Sequence, residues 1–141
     1  MWKGLCAAAI LAVSAGCAEI PPADPPVPTA AIARDWWVYF GHDSSAISAA
    51  GSATISNFAE YARQTVNPRI TLTGHADRSG NPAYNMDLSV RRAAAIKKAL
   101  VDQDISADSI EVKGRGETQP LVVTADGVKE PQNRRVEFTI Q

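Results

Sequence analysis

Residues 70–101 read ITLTGHADRSGNPAYNMDLSVRRAAAIKKALV, and a change of period inside them decides the fold. Ile70 and Leu72 alternate with Thr71 and Thr73 up to Gly74, the period-two pattern of a half-buried strand. His75 to Pro82 is dense in turn formers, and from about Ala83 to Val101 the pattern becomes that of a long helix. Upstream, Trp36-Trp37-Val38-Tyr39-Phe40, bounded by Gly41, is aromatic and β-prone and reads as a first strand. From Ser52 onward Ile55, Phe58, Ala59, Ala62 and Val66 fall at helical spacing until Asn67-Pro68 stops them. Downstream, Ile110–Lys113 and Val136–Ile140 alternate with period two on either side of a long polar loop. The order β-α-β-α-β-β predicts an α+β fold, a two-layer sandwich with a mixed four-stranded sheet and both helices on one face.

Projected at about 100° per residue, the second helix gathers Val90, Ala93, Leu100 and Val101 within roughly 60° of Met86, and this sector is the expected packing face. Arg91 points the way of Asp87 and Lys98, toward water. Arg92 instead projects between Leu88 and Ile96, where a guanidinium must find a carboxylate or several acceptors. Asn85 lies two turns earlier on nearly the same line, and Asp77 sits in the loop feeding the helix. These three are the candidates for one polar pocket. Asp77 and Arg92 either pair to pin the loop onto the helix, or hold a ligand that carries both an ammonium and a carboxylate. A phosphate does not suit the arrangement, because Asp77 repels it.

The chain has 141 residues, enough for one domain and a short appendage. Fourteen Lys+Arg against fifteen Asp+Glu leave a net charge of -1, which argues against a nucleic-acid partner. Both cysteines, Cys6 and Cys17, fall near the start, so the remainder holds neither disulfide nor thiolate metal cluster. Residues 1–16 have the layout of a signal peptide: Lys3, an apolar run from Leu5 to Val13, then small residues. That run is too short to cross a bilayer. Ala15-Gly16-Cys17 resembles the end of a bacterial lipobox, although Ser14 stands where that motif usually has Leu; the resemblance implies lipidation of Cys17. Residues 17–35 contain Pro21, Pro22, Pro25, Pro26 and Pro28 and read as an extended tether ahead of a domain at 36–141.

Several ordered motifs resemble the OmpA-like peptidoglycan-binding family, in particular as it occurs in the peptidoglycan-associated lipoproteins of Gram-negative bacteria. They are Gly74-His75-Ala76-Asp77, Gly80, Tyr84-Asn85, Leu88-Ser89, Arg91-Arg92-Ala93, Gly114-Arg115-Gly116-Glu117 with Pro120, and Asn133-Arg134-Arg135-Val136-Glu137. The resemblance implies that Asp77 and Arg92, with Asn85 beside them, hold the diaminopimelate residue of the cell-wall peptide stem. It further implies a lipid-anchored protein on the periplasmic face of the outer membrane, with Tol proteins as partners. Gly41 departs from the family's pattern, which usually has an acidic residue after the first strand.

A hydrolase reading recruits His42, Asp43, His75 and Asp77 as a metal or acid–base site. No HExxH-type spacing supplies a third fixed ligand, and no nucleophile elbow is present, so the expectation is a protein with no enzymatic activity, metal or cofactor.

Overall fold

Residues 35–141 are described by a computed structural model; the expected signal peptide, Cys17 and the tether up to residue 34 lie outside the described residues. The elements are β1 (Trp36–Tyr39), α1 (Ala49–Arg63), β2 (Ile70–Gly74), α2 (Pro82–Val101), β3 (Ile110–Gly114) and β4 (Arg135–Ile140), in the expected order. Single 3-10 turns at Ala107–Ser109 and Pro131–Asn133 lead into β3 and β4. α1 begins earlier than its apolar pattern suggests, because Ser48 caps it by accepting a hydrogen bond from the Gly51 amide at 3.1 Å. Val66 lies beyond its last turn and is 87% exposed, so it does not belong to the buried stripe. α2 starts at Asn81, whose side chain accepts from the Ala83 amide at 2.8 Å, with Pro82 in the first turn where its missing N–H costs nothing.

The strands lie in the order β1-β4-β2-β3. β2 and β3 run parallel through the α2 crossover, while β4 is antiparallel to both β1 and β2. Both helices pack on one face, where Val38, Ile55, Phe58, Leu72, Ile96, Leu100 and Val136 are buried together. Phe58 meets Phe138 edge-on at 4.8 Å and Trp36 at 5.6 Å.

The face of α2 that reaches this core shares Ala93 and Leu100 with the expected one but is rotated away from Met86, Val90 and Val101. Met86, Val90 and Val101 are 40%, 40% and 39% exposed, whereas Asn85, Leu88, Ser89, Arg92, Ala93, Ile96 and Leu100 are buried. The wheel followed the long aliphatic side chains, but the true face carries Asn85 and Arg92, whose hydrogen bonds inside the domain let polar side chains be buried there. Glycines let α2 approach the strands: a Cβ on Gly74 would stand 1.9 Å from the Ser89 carbonyl oxygen, in backbone that cannot turn aside. Gly74→Ala is therefore expected to destabilise the domain by about 3 kcal/mol, the upper range of overpacking, and a drop in the urea midpoint followed by circular dichroism measures it.

Candidate functional site

The C-terminal end of β2 and the start of α2 meet the loop that follows β1. A cleft of about 160 Å³ opens there, lined by His42, Asp43, Asp77, Ser79, Gly80, Tyr84, Asn85 and Leu88. Arg92 lies beneath it, wholly buried. Its Nε donates to the Ser44 carbonyl at 2.8 Å, Nη1 to the His75 carbonyl at 2.9 Å, and Nη2 to the Gly41 carbonyl at 3.0 Å. The guanidinium also stands over the Phe40 ring at 5.4 Å. Burial pulls its pKa down to about 10, partly offset by the field of Asp77, so it is charged at neutral pH. Three of its five N–H groups are taken by carbonyls, leaving one on each terminal nitrogen.

Asp77 and Arg92 do not pair directly. The partner of Asp77 is Arg134, whose Nη1 donates to Oδ2 at 3.1 Å. Oδ2 also accepts from the Glu130 amide at 3.2 Å, and Oδ1 from the Ser79 hydroxyl at 2.5 Å and the Ser79 amide at 3.3 Å. Burial alone would raise the Asp77 pKa, but the bonds from Ser79, Arg134 and Glu130 outweigh it and hold the carboxyl below its ordinary value. Asn85 joins the same floor: its Nδ2 donates to the Asp77 carbonyl at 3.1 Å and to Glu117 Oε2 at 2.7 Å. The three candidates thus share one region, with Asp77 and Asn85 lining the cleft and Arg92 below it.

Residue-type reasoning missed Arg134, Ser79, Tyr84 and Glu117 as members of this region. For Arg134 the signal was the Arg134-Arg135 pair, since a strand end has no need of two adjacent cations. Arg134 serves the cleft, and its Nε reaches back to the Phe40 carbonyl at 3.0 Å. Asn133, wholly buried, fastens the long loop by bonding both the amide and the carbonyl of Val122, at 2.8 and 2.7 Å. Tyr84 donates its hydroxyl to Asp43, and Arg91 stacks over the Tyr84 ring at 5.4 Å while binding Asp87 at 2.8 Å. Arg91 is solvent-facing, as expected, yet it is coupled to the cleft wall through that ring.

His42, Asp43 and Asp77 line the cleft, but His75 does not join them. Its ring is buried on the sheet face away from the helices, with Nε2 at 3.7 Å from Glu137 Oε1; Glu137 in turn takes both Nε and Nη2 of Arg135. Among the described residues no group of three His, Cys, Asp or Glu side chains is placed to hold a metal ion.

These features define a two-layer domain with a charged cleft and, beside it, a buried guanidinium bonded to carbonyls and to no carboxylate. The chain belongs to the OmpA family, whose model matches residues 39–134. It is 33% identical to the outer membrane protein A of Bordetella avium over 89% of this chain and 67% of that protein. It is likewise 33% identical to the peptidoglycan-associated lipoprotein of Mesorhizobium japonicum over 73% of this chain and 61% of that one. The crystal structure of the peptidoglycan-associated lipoprotein from Burkholderia pseudomallei superposes with a TM-score of 0.69 at 28% identity, over 74% of this chain and 89% of that chain. The chain spans between 30% and 67% of the length of the first curated relatives it matches.

Burial, reinforced by the positive charge of Arg135 and only partly opposed by Glu137, lowers the His75 pKa. The unfolded chain then binds the proton more tightly than the folded one. Its contribution to stability is complete above about pH 6.5, the unfolded value, and is lost as the pH falls below that value toward the lower folded pKa. Urea midpoints of the protein should fall between pH 7 and 5, by up to about 1.4 kcal/mol per pH unit from this group. His75→Gln should flatten that slope whatever its baseline stability; an unchanged slope rejects the assignment.

Proposed function

We propose that this chain is a non-enzymatic envelope protein that binds the peptide stem of peptidoglycan, through Asp77, Asn85 and Arg92, and anchors the outer membrane to the wall. The observation that carries the reading is Arg92: a buried, charged guanidinium with no carboxylate bonded to it, lying beneath a cleft edged by Asp77 and Asn85. Diaminopimelate offers a zwitterionic end. Its carboxylate answers the field of Arg92, whose charge no bonded carboxylate compensates. Its ammonium answers Asp77 by taking the place of the Ser79 hydroxyl, the one donor there free to rotate elsewhere. Membership of the OmpA family and likeness to proteins named peptidoglycan-associated lipoprotein support the same ligand. The turning of His75 away from His42, Asp43 and Asp77 supports a site that binds without catalysing.

Asp77→Ala and Arg92→Lys are each expected to weaken co-sedimentation with diaminopimelate-type peptidoglycan at least about tenfold, on the order of 1.4 kcal/mol. Both are to be checked for folding by circular dichroism. Lys98→Ala is the suitable control: Lys98 is exposed and paired with Asp102 at 2.7 Å, whereas Arg91 touches the wall of the cleft through Tyr84. Normal co-sedimentation of the folded variants, or equal binding of lysine-type walls, rejects the reading.

The anchor is proposed to be lipid on Cys17, placed after small residues and ahead of the proline-rich stretch. A single acyl chain holds a protein to a membrane only marginally, so the several chains of a bacterial lipoprotein are what anchoring needs. Metabolic palmitate labelling should mark the protein, and Cys17→Ser should release an unlabelled soluble form. Equal labelling of that variant rules lipidation at Cys17 out.

A further inference from the structure

A second cleft, of about 300 Å³, lies at the other end of β1, lined by Trp36, Asn57, Glu60, Tyr61 and Gln64. Its volume falls at the lower end of the range for small-ligand sites, about 300–1,000 Å³. Two aromatic rings form one wall, Trp36 and Tyr61, 6.3 Å apart and tilted by 34°. Asn57 and Glu60 on α1 and Gln64 at its C-cap follow one another at helical spacing. Their side chains are exposed and bond to none of the other described residues. The indole Nε1 of Trp36 is shielded from solvent and likewise has no acceptor.

The chemistry of this lining is specific. Flat aromatic faces suit a ligand with apolar C–H surfaces. Two side-chain amides and a carboxylate suit one that presents donors and acceptors close together without net charge. We propose that this cleft is a saccharide subsite, and that it takes the glycan strand of the polymer whose peptide stem occupies the charged cleft. The choice of that strand rests on the proposed function above. Spacing supports the link: β1 runs from Trp36 toward the Gly41–Ser44 loop beside the charged cleft, and its four residues span roughly 13 Å. One polymer with a stem branching from a glycan can therefore meet both.

The test uses the soluble Cys17→Ser protein and two separate probes. One is peptidoglycan glycan strands freed of their stems by an amidase; the other is the diaminopimelate-containing stem peptide alone. Stem-free strands at about 1 mM saccharide are expected to shift one tryptophan indole N–H resonance saturably, and Trp36→Phe should remove that resonance and the binding. Asn57→Ala with Gln64→Ala should weaken the affinity about tenfold, while Lys98→Ala leaves it unchanged. Trp36→Phe is followed by its urea midpoint, and if it fails to fold, the amide double variant carries the decision. Absence of a saturable shift, or equal affinity in the double variant, overturns the proposal. So does a shift produced only by a peptide of residues 18–34, which would make the cleft a seat for a proline-rich segment. Failure of the stem peptide to bind the parent protein speaks against the proposed function alone, because the glycan arm is read on a different resonance and different variants.

Discussion

The guanidinium of Arg92 organises the end of the domain that carries the cleft. Its three carbonyl partners, Gly41, Ser44 and His75, belong to the segment after β1 and to the end of β2, while the arginine itself comes from the middle of α2. One side chain thereby fixes the relative positions of a loop, a strand end and a helix. Burying such a group is costly, and an apolar residue of similar volume often gives an equal or more stable core. Stability alone therefore gives no reason for a guanidinium here. Its planar fork does two things that an apolar residue cannot: it orients carbonyls that would otherwise lack donors, and it keeps a positive charge beneath a polar cleft at neutral pH.

How much of this the sequence disclosed depended on whether polarity and period agreed. The strands were legible because Thr71, Thr73, Glu111 and Glu137 alternate with apolar neighbours, and the described register pairs Leu72 with Phe138 and with Val112 as that alternation requires. α2 was legible as a helix but not in its rotation. Asn85, Ser89 and Arg92 carry polar side chains that hydropathy assigns to no packing face, yet each is buried with hydrogen bonds made inside the domain. Ser89 is an example: its hydroxyl donates to the Met86 carbonyl and accepts from the Gly116 amide, while its small size leaves room for Gly74 and Gly114. Hydropathy cannot count hydrogen bonds that arise only after folding. The union of Asp77 with Arg134, 57 residues apart, was illegible for the same reason.

The motif Asn133-Arg134-Arg135-Val136-Glu137 shows how consecutive residues are assigned to different tasks by the alternation of a strand. Asn133 clamps the preceding loop, Arg134 serves the cleft, Arg135 and Glu137 bind each other beside His75 on the open face, and Val136 fills the core. Two titratable systems therefore lie close in sequence yet on different sides of the backbone. They are joined at His75, whose carbonyl holds Arg92 and whose amide donates to the Arg135 carbonyl at 2.8 Å. The His75 ring thus hangs on the same backbone unit whose carbonyl orients the buried guanidinium.

The occupancy of Asp77 sets the terms on which the cleft can accept a cation. A carboxylate has about four lone-pair sites, and Asp77 already receives four hydrogen bonds, from the Ser79 amide and hydroxyl, the Glu130 amide and Arg134. Arg134 also compensates its charge. A bare ammonium therefore gains little by entering, since it must displace a donor and meets the field of Arg92 as well. Adding a carboxylate to the same ligand changes the balance, because the Arg92 field then favours one end while Asp77 favours the other. On the proposed reading the cleft favours paired opposite charges over either charge alone, and the network that already fills Asp77 is the reason.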